Sequence, residues 1–337
     1  TRYLHVGLGI HGWKPYRTTQ CFSNKYGDCK DKSSLMKVML EHAGIETHLV
    51  LVRTRRLGKV DEFPPSMHIF NHAIDYIPSM DLYLDPTAEF NGTTELTPMD
   101  QGAQALHVTD GGKTTFTTLP VDEPDQNTLH QELQVDLSGE EAVTTGEIVA
   151  YGQNAVYYRR KLENPDRRDE IFEKQLANIY PGARLVSAQY KNLGALEKPV
   201  EIRFKFQGGR LKRENNNRHF VFPYGAPKDL RSQYADQASR NQDLKIRVPF
   251  TNETRMRYEL PKSRGFERVP DPVEMESEFG TLKITYDKKG NTLVADIRYS
   301  IDVQRVAVED YPEFRKFLSE ATSALNETIG LTDETAD

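Results

Sequence analysis

Apolar positions recur at helical spacing through residues 29–44 and then give way to short alternating runs. At about 100° per residue, Cys29, Ser33, Met36, Leu40 and Ala43 share one side. Asp28 suits the N-cap, Asp31 suits the positive end of the dipole, and Gly44 suits a left-handed C-terminal position. The pattern therefore predicts a helix with Cys29 in its first turn. Strand-like alternation follows over residues 47–54, 69–77 and 82–85, and the last two runs flank Pro78-Ser79-Met80-Asp81, a hairpin signature.

Helix followed by strands makes residues 1–120 an α+β domain. The stretch from Gly111-Gly112 through Pro120 and Pro124 marks its end, so a second domain is expected over 121–337. There, residues 129–137 and 144–151 read as strands, and a helical insert near 153–180 is interrupted around Asn164-Pro165. Period-2 alternation returns at 201–206, 244–250, 281–286 and 292–301, the last two joined by the hairpin turn Asp287-Lys288-Lys289-Gly290-Asn291. A C-terminal helix near 311–328 carries Tyr311, Phe314, Phe317 and Leu318 on one side, with Pro312 near its start. The expectation is a mostly-β, sandwich-like domain or curled sheet with a few helices. It offers no chemical motif.

Composition narrows the class. A length of 337 residues fits two domains, and 37% hydrophobic with 28% charged residues describes an ordinary globular chain rather than a disordered one. A net charge of -6 gives no footprint for nucleic acid or anionic membrane. No run of about 18 apolar residues is present, so no membrane insertion is expected of the visible chain. The chain opens at Thr1 without a leader pattern, as expected of a processed or truncated chain. Two cysteines, Cys21 and Cys29, are too few for a disulfide framework or a four-cysteine zinc site, which leaves room for a reactive thiol.

A thiol attacks as its thiolate, and a helix N-terminus favours that anion. At Cys29 the neighbours Asp28 and Asp31 oppose the effect while Lys30 and Lys32 support it, so a histidine partner is needed. The hairpin supplies one. A turn centred between Pro78 and Ser79 sets His72 opposite Asp85; a centre one residue later sets Asp85 opposite Ile74, diagonal to His72 and still on its face. The carboxylate would orient the imidazole, and the imidazole would take the thiol proton. The plainer alternatives are a buried structural Cys29 or its pairing with Cys21, a satisfied strand histidine, and an Asp85 that merely caps the turn before Pro86.

Three segments in this order, Tyr26-Gly27-Asp28-Cys29-Lys30-Asp31-Lys32, Phe70-Asn71-His72-Ala73-Ile74 and Leu82-Tyr83-Leu84-Asp85-Pro86-Thr87-Ala88, resemble the transglutaminase-like superfamily over about residues 3–110. The resemblance is specifically to the bacterial type often preceded by a β-rich domain of unknown function, a domain expected to be absent from this chain. The resemblance implies a papain-like core with catalytic Cys29, His72 and Asp85, no cofactor, no metal, and a periplasmic or secreted setting. It implies a protein or peptide substrate as amide donor, with water or a primary amine as acceptor; hydrolysis is favoured. In related enzymes an aromatic or amide side chain upstream of the cysteine assists the oxyanion, and Trp13 and Gln20 are the candidates. The backbone N–H of Cys29 is a further donor at the free helix end. The rival reading is a non-catalytic protein- or glycan-binding scaffold.

Other signals are weaker. His68 and His72 lie four apart, but the region reads as strand and no Glu follows His68, which argues against a metal pair. The loop over 53–65, with Arg53, Arg55, Arg56 and Gly58, either borders a substrate cleft or is an ordinary solvated loop. Gly7-Leu8-Gly9 lacks the rest of a dinucleotide fingerprint.

Overall fold

A computed structural model describes residues 1–332 except 6, 8, 61–65, 110–112 and 216–217. The chain divides into two compact units, Thr1–Asp122 and Glu123–Asp337. Both are mixed α/β and rich in sheet, with no closed barrel among the described residues. Among those residues no helix is long and apolar enough to cross a membrane.

The first unit begins with a two-residue parallel pair, Arg2–Tyr3 beside Tyr26–Gly27, and helix α1 (Thr18–Asn24). Helix α2 (Cys29–His42) starts where the sequence predicts. Asp28 is the N-cap, its side chain accepting from the Asp31 N–H while the Asp31 carboxylate accepts from the Asp28 N–H. Gly44 takes φ 80° just past the end. The inward face differs from the expected stripe: Asp31, Lys32, Ser33 and Leu35 are buried, whereas Ala43 is exposed. The helix packs through its first half, where Ser33 Oγ donates to the Ala73 carbonyl at 3.0 Å.

An antiparallel sheet follows, built from β1 (His48–Arg53), β2 (His72–Ile77), β3 (Leu82–Leu84), β4 (Gln104–Val108) and β5 (Thr114–Thr118) in the order β3-β2-β1-β4-β5. Its core is Val50, Val52, Ile74, Leu96, Ala103, Ala105 and Leu119. The Gly111-Gly112 boundary marker lies outside the described residues, but Thr114–Thr118, expected within a linker, is an edge strand paired with β4. The β2–β3 ladder pairs Ile77 with Leu82, Tyr76 with Tyr83 and Asp75 with Leu84. Of the two registers considered, this is the diagonal one: the four-residue turn ends on Asp81 at φ 49°, and the next step along the ladder sets Asp85 opposite Ile74.

In the second unit the described strands longer than two residues are β6 (Thr128–Asp136), β7 (Val143–Ala150), β8 (Arg184–Lys191), β9 (Val200–Gln207), β10 (Arg213–Asn215), β11 (Arg218–Val221), β12 (Phe250–Glu259), β13 (Phe266–Arg268), β14 (Val273–Ser277), β15 (Gly280–Lys289), β16 (Thr292–Ile301) and β17 (Ile329–Leu331). Eight form one sheet in the order β8-β9-β7-β6-β12-β16-β15-β14, antiparallel except for the parallel pair β6–β12. Strand β16 shows the logic: Leu293, Ala295, Ile297, Tyr299 and Ile301 are buried, while Asp296 pairs with Arg255 and Arg298 with Glu253 on the opposite face. The buried face is covered by α3 (Gly152–Lys161), α4 (Arg168–Ile179), the short α5 (Leu230–Tyr234), α6 (Tyr311–Leu325) and the small sheet β10-β11-β17-β13 rather than by a second full sheet.

The helical insert is thus two helices, separated by a turn in which Asn164 accepts from the Asp166 N–H beside Pro165. Tyr311, Phe314, Phe317 and Leu318 are buried on α6 as expected. The strand expected over 244–250 is not formed: only Leu244–Lys245 pairs, and Phe250 opens β12 instead.

Candidate active site

Three elements converge on one cluster. Helix α2 brings Cys29 as its first residue, β2 brings His72 as its first residue, and the chain leaving β3 brings Asp85. His72 is fixed by its neighbours: it pairs with Val52 across the sheet, and adjacent Asn71 exchanges hydrogen bonds of 2.9 Å with the N–H and Oγ1 of Thr54. His72 Nε2 lies 3.3 Å from Asp85 Oδ2. The other Asp85 oxygen accepts from the N–H and hydroxyl of Thr87 at 2.8 and 2.7 Å, so both carboxylate oxygens are engaged. Asp85 therefore caps the turn and also faces the imidazole.

The electrostatics follow from this enclosure. Burial alone would lower the pKa of His72, but hydrogen bonds with Asp85 and Cys29, then the charges of Asp85 and Asp100, outweigh it and hold the imidazole well above its usual value. Burial would raise Asp85, yet the bonds and charge of His72 and the Thr87 donors keep it below the usual range. Imidazolium beside carboxylate is the favoured state. At the helix start, Asp28 and Asp31 are buried, and Lys30 forms an ion pair with Asp28. Buried Lys32 has its pKa lowered by burial, against the opposing charges of Glu89 and Asp85.

Neither Cys21 nor Cys29 is in a disulfide. Cys21 is buried under Gly27, where burial and then the Asp31 charge push its thiol up, whereas Cys29 is only partly buried. Trp13 is half exposed and meets His68 edge-on at 4.5 Å, and Gln20 is exposed on α1; the described contacts bring neither to the Cys29–His72–Asp85 cluster. His68 lies in a 3-10 turn, apart from the strand that carries His72. In the arginine loop, residues 61–65 lie outside the described residues. Arg53 spends its guanidinium on the carbonyls of Leu57, Gly58 and Ile69, and Arg55 bonds the Pro98 carbonyl, which makes both of them staples.

Comparison with known proteins adds a fold-level finding. The family described as "Domain of Unknown Function with solved-structure structure (DUF3858)" matches residues 218–331, within the second unit. The crystal structure of a candidate protease from Parabacteroides distasonis is similar at 12% identity and a TM-score of 0.53, over 98% of this chain and 48% of that one. This chain thus spans about half the length of that structure, and the likeness is one of fold. No curated protein matches the chain.

Two neighbours of the cluster have no signature in the sequence. Asp100, fully buried, arrives on a turn at 97–103, and one ligating atom each of His72, Asp85 and Asp100 lie within 4.8 Å of one another. Among the described residues this is the one group with metal-ligand spacing, although its His72 and Asp85 atoms already face each other. Tyr3, on the first short strand, has its phenol pushed up by burial and then by the charges of Cys29, Asp28 and Asp85, which makes it an electrostatic neighbour of the cluster. Neither follows a spacing rule, because both come from loop or terminal chain rather than from a periodic element.

Proposed function

We propose that this chain carries a transglutaminase-like, papain-type core that cleaves amides through a thioester on Cys29. The observation that carries the reading is the 3.3 Å contact between His72 and Asp85 beside a cysteine at a helix N-terminus. The Cys29 thiolate attacks the substrate carbonyl carbon and forms a tetrahedral oxyanion. The capping box uses the N–H groups of Asp28 and Asp31 and not that of Cys29, which is thereby left to serve the oxyanion. His72, held as imidazolium by Asp85, gives its proton to the leaving amine as the C–N bond breaks. Water, deprotonated by His72, then opens the thioester to a carboxylic acid; a primary amine in its place gives transamidation. Protein or peptide amides are the substrate class, and hydrolysis is the favoured branch.

The test is labelling and turnover on a peptide-amide panel. Cys29→Ala should abolish both labelling by an iodoacetamide probe at neutral pH and turnover. His72→Ala should keep the thiol while slowing turnover by about 10²–10⁴-fold. Equal labelling of the Cys29→Ala chain and the parent would remove the nucleophile and favour a binding scaffold.

A further inference from the structure

Asp100 is more deeply enclosed than His72. It has no solvent exposure, and its turn is held by Thr97, whose carbonyl accepts the Asp100 N–H and whose Oγ1 donates to Asp100 Oδ2 at 2.6 Å. Asp100 Oδ1 is buried and has no donor. Beyond Thr97, one oxygen of this carboxyl lies within 4.8 Å of an oxygen of Asp85, itself an acceptor, and of a His72 ring nitrogen. Two carboxylates in that position repel, and a buried oxygen without a donor is costly, whereas one proton shared between them removes both penalties.

The titratable groups that act on Asp100 are His72 on β2 and Asp85 after β3; Asp75 on β2, Lys32 on α2 and Tyr3 on the first short strand interact with Asp85, and Cys29 on α2 bonds His72. Arg55 bonds the Pro98 carbonyl at 3.3 Å, two residues before Asp100. Building on the reading of Cys29, His72 and Asp85 as the reacting group, we infer that Asp100 is a positioning residue with two states. As a neutral acid it donates a hydrogen bond to Asp85, and once ionised it adds a second negative charge behind the His72 imidazolium.

Burial pushes Asp100 up to about 6, with the His72 charge opposing and the Asp85 charge adding. The exchange therefore falls within the range where an amidase works. Below about pH 6 one negative charge faces His72; above it there are two, and the imidazolium persists to higher pH than Asp85 alone would sustain. Asp100→Asn keeps an N–H donor for Asp85 but cannot ionise, so it locks the low-pH state.

The experiment is ring NMR of labelled histidine in the Cys29→Ala chain, where the thiol that bonds His72 is gone. The His72 resonances should show one inflection near pH 6 from Asp100 and a later one from the ring itself. Adding Asp100→Asn should remove the first inflection and lower the second by about one unit. Thr97→Val, which removes the hydroxyl donor but leaves the carboxyl, should move the first inflection to higher pH. An inflection near pH 6 that survives Asp100→Asn, or that Thr97→Val leaves in place, overturns the assignment. This readout needs no turnover, so it fails separately from the amidase reading. In the full chain with Cys29 present, Asp100→Asn should fall progressively below the parent as pH rises above about 6, approaching about one tenth of its rate once pH exceeds both ring pKa values, as expected of a one-unit shift in the imidazolium.

Discussion

At the scale of single residues, Asp75 is a carboxyl held against the cost of burial. It sits on β2 facing α2, it has no solvent exposure, and neither carboxylate oxygen has a donor. Burial pushes it up to about 8; the nearby Ser33 hydroxyl, whose proton goes to the Ala73 carbonyl, and the Lys37 charge oppose this, and the Asp85 charge adds. A carboxyl that is neutral when folded and ionised when unfolded binds a proton only in the folded chain between about pH 4 and 8. Its stabilisation is therefore complete below about pH 4 and is lost as pH rises through about 8. Chemical denaturation from pH 4 to 8 should show the parent losing up to about 1.4 kcal/mol per pH unit relative to Asp75→Asn. The asparagine chain should be the more stable at pH 8. His72 and Asp85 titrate in both chains, so the difference isolates Asp75, and parallel pH slopes would rule out the buried neutral acid.

At the scale of elements, Cys29 depends on how α2 begins. A Cβ on Gly27 would sit 2.7 Å from Asp31 Cβ and 2.9 Å from Cys21 Sγ, the side chains that close the capping box and pack beneath it. Gly27→Ala must therefore displace Asp31, at a cost of about 1–3 kcal/mol, and it should slow Cys29 alkylation along with lowering the melting temperature. An unchanged melt and alkylation rate would show that the helix start is more pliable than its packing implies. This helix start was legible because capping and dipole effects act over a few adjacent residues. The hairpin was legible only to within two registers, since the choice hangs on left-handed Asp81 closing a four-residue turn. Strand β12 was not legible at all: it turns Thr254 and Asn252 inward among apolar neighbours, which erases the alternation that marks a strand. Asp100 escaped for another reason, because a long loop brings it to His72 and no local rule encodes that approach.

At the scale of the whole molecule, the buried clusters show where the chain can be cut. The cluster around Val50 and Ile74 lies within Thr1–Asp122, and both larger clusters lie within Glu123–Asp337. Residues 123–337 expressed alone should thus fold, with dispersed amide resonances and one cooperative denaturant transition. The segment that matches the family of unknown function, 218–331, should not. It holds β12, β16, β15 and β14 but omits β6, β7, β9 and β8, so the eight-stranded sheet is severed at the parallel pairing of Phe250–Glu259 with Thr128–Asp136. That cut removes Leu133, Val135, Ile148, Phe204 and Phe206 from the cluster that Met256 and Tyr258 share, and it leaves a ten-residue strand as an open edge. The shorter piece is expected to aggregate or to bind a hydrophobic dye without a cooperative melt. A soluble 218–331 fragment with a sharp transition would mean that the four remaining strands and α6 form a self-sufficient unit, and that the β6–β12 pairing is a junction between folding units rather than the centre of one.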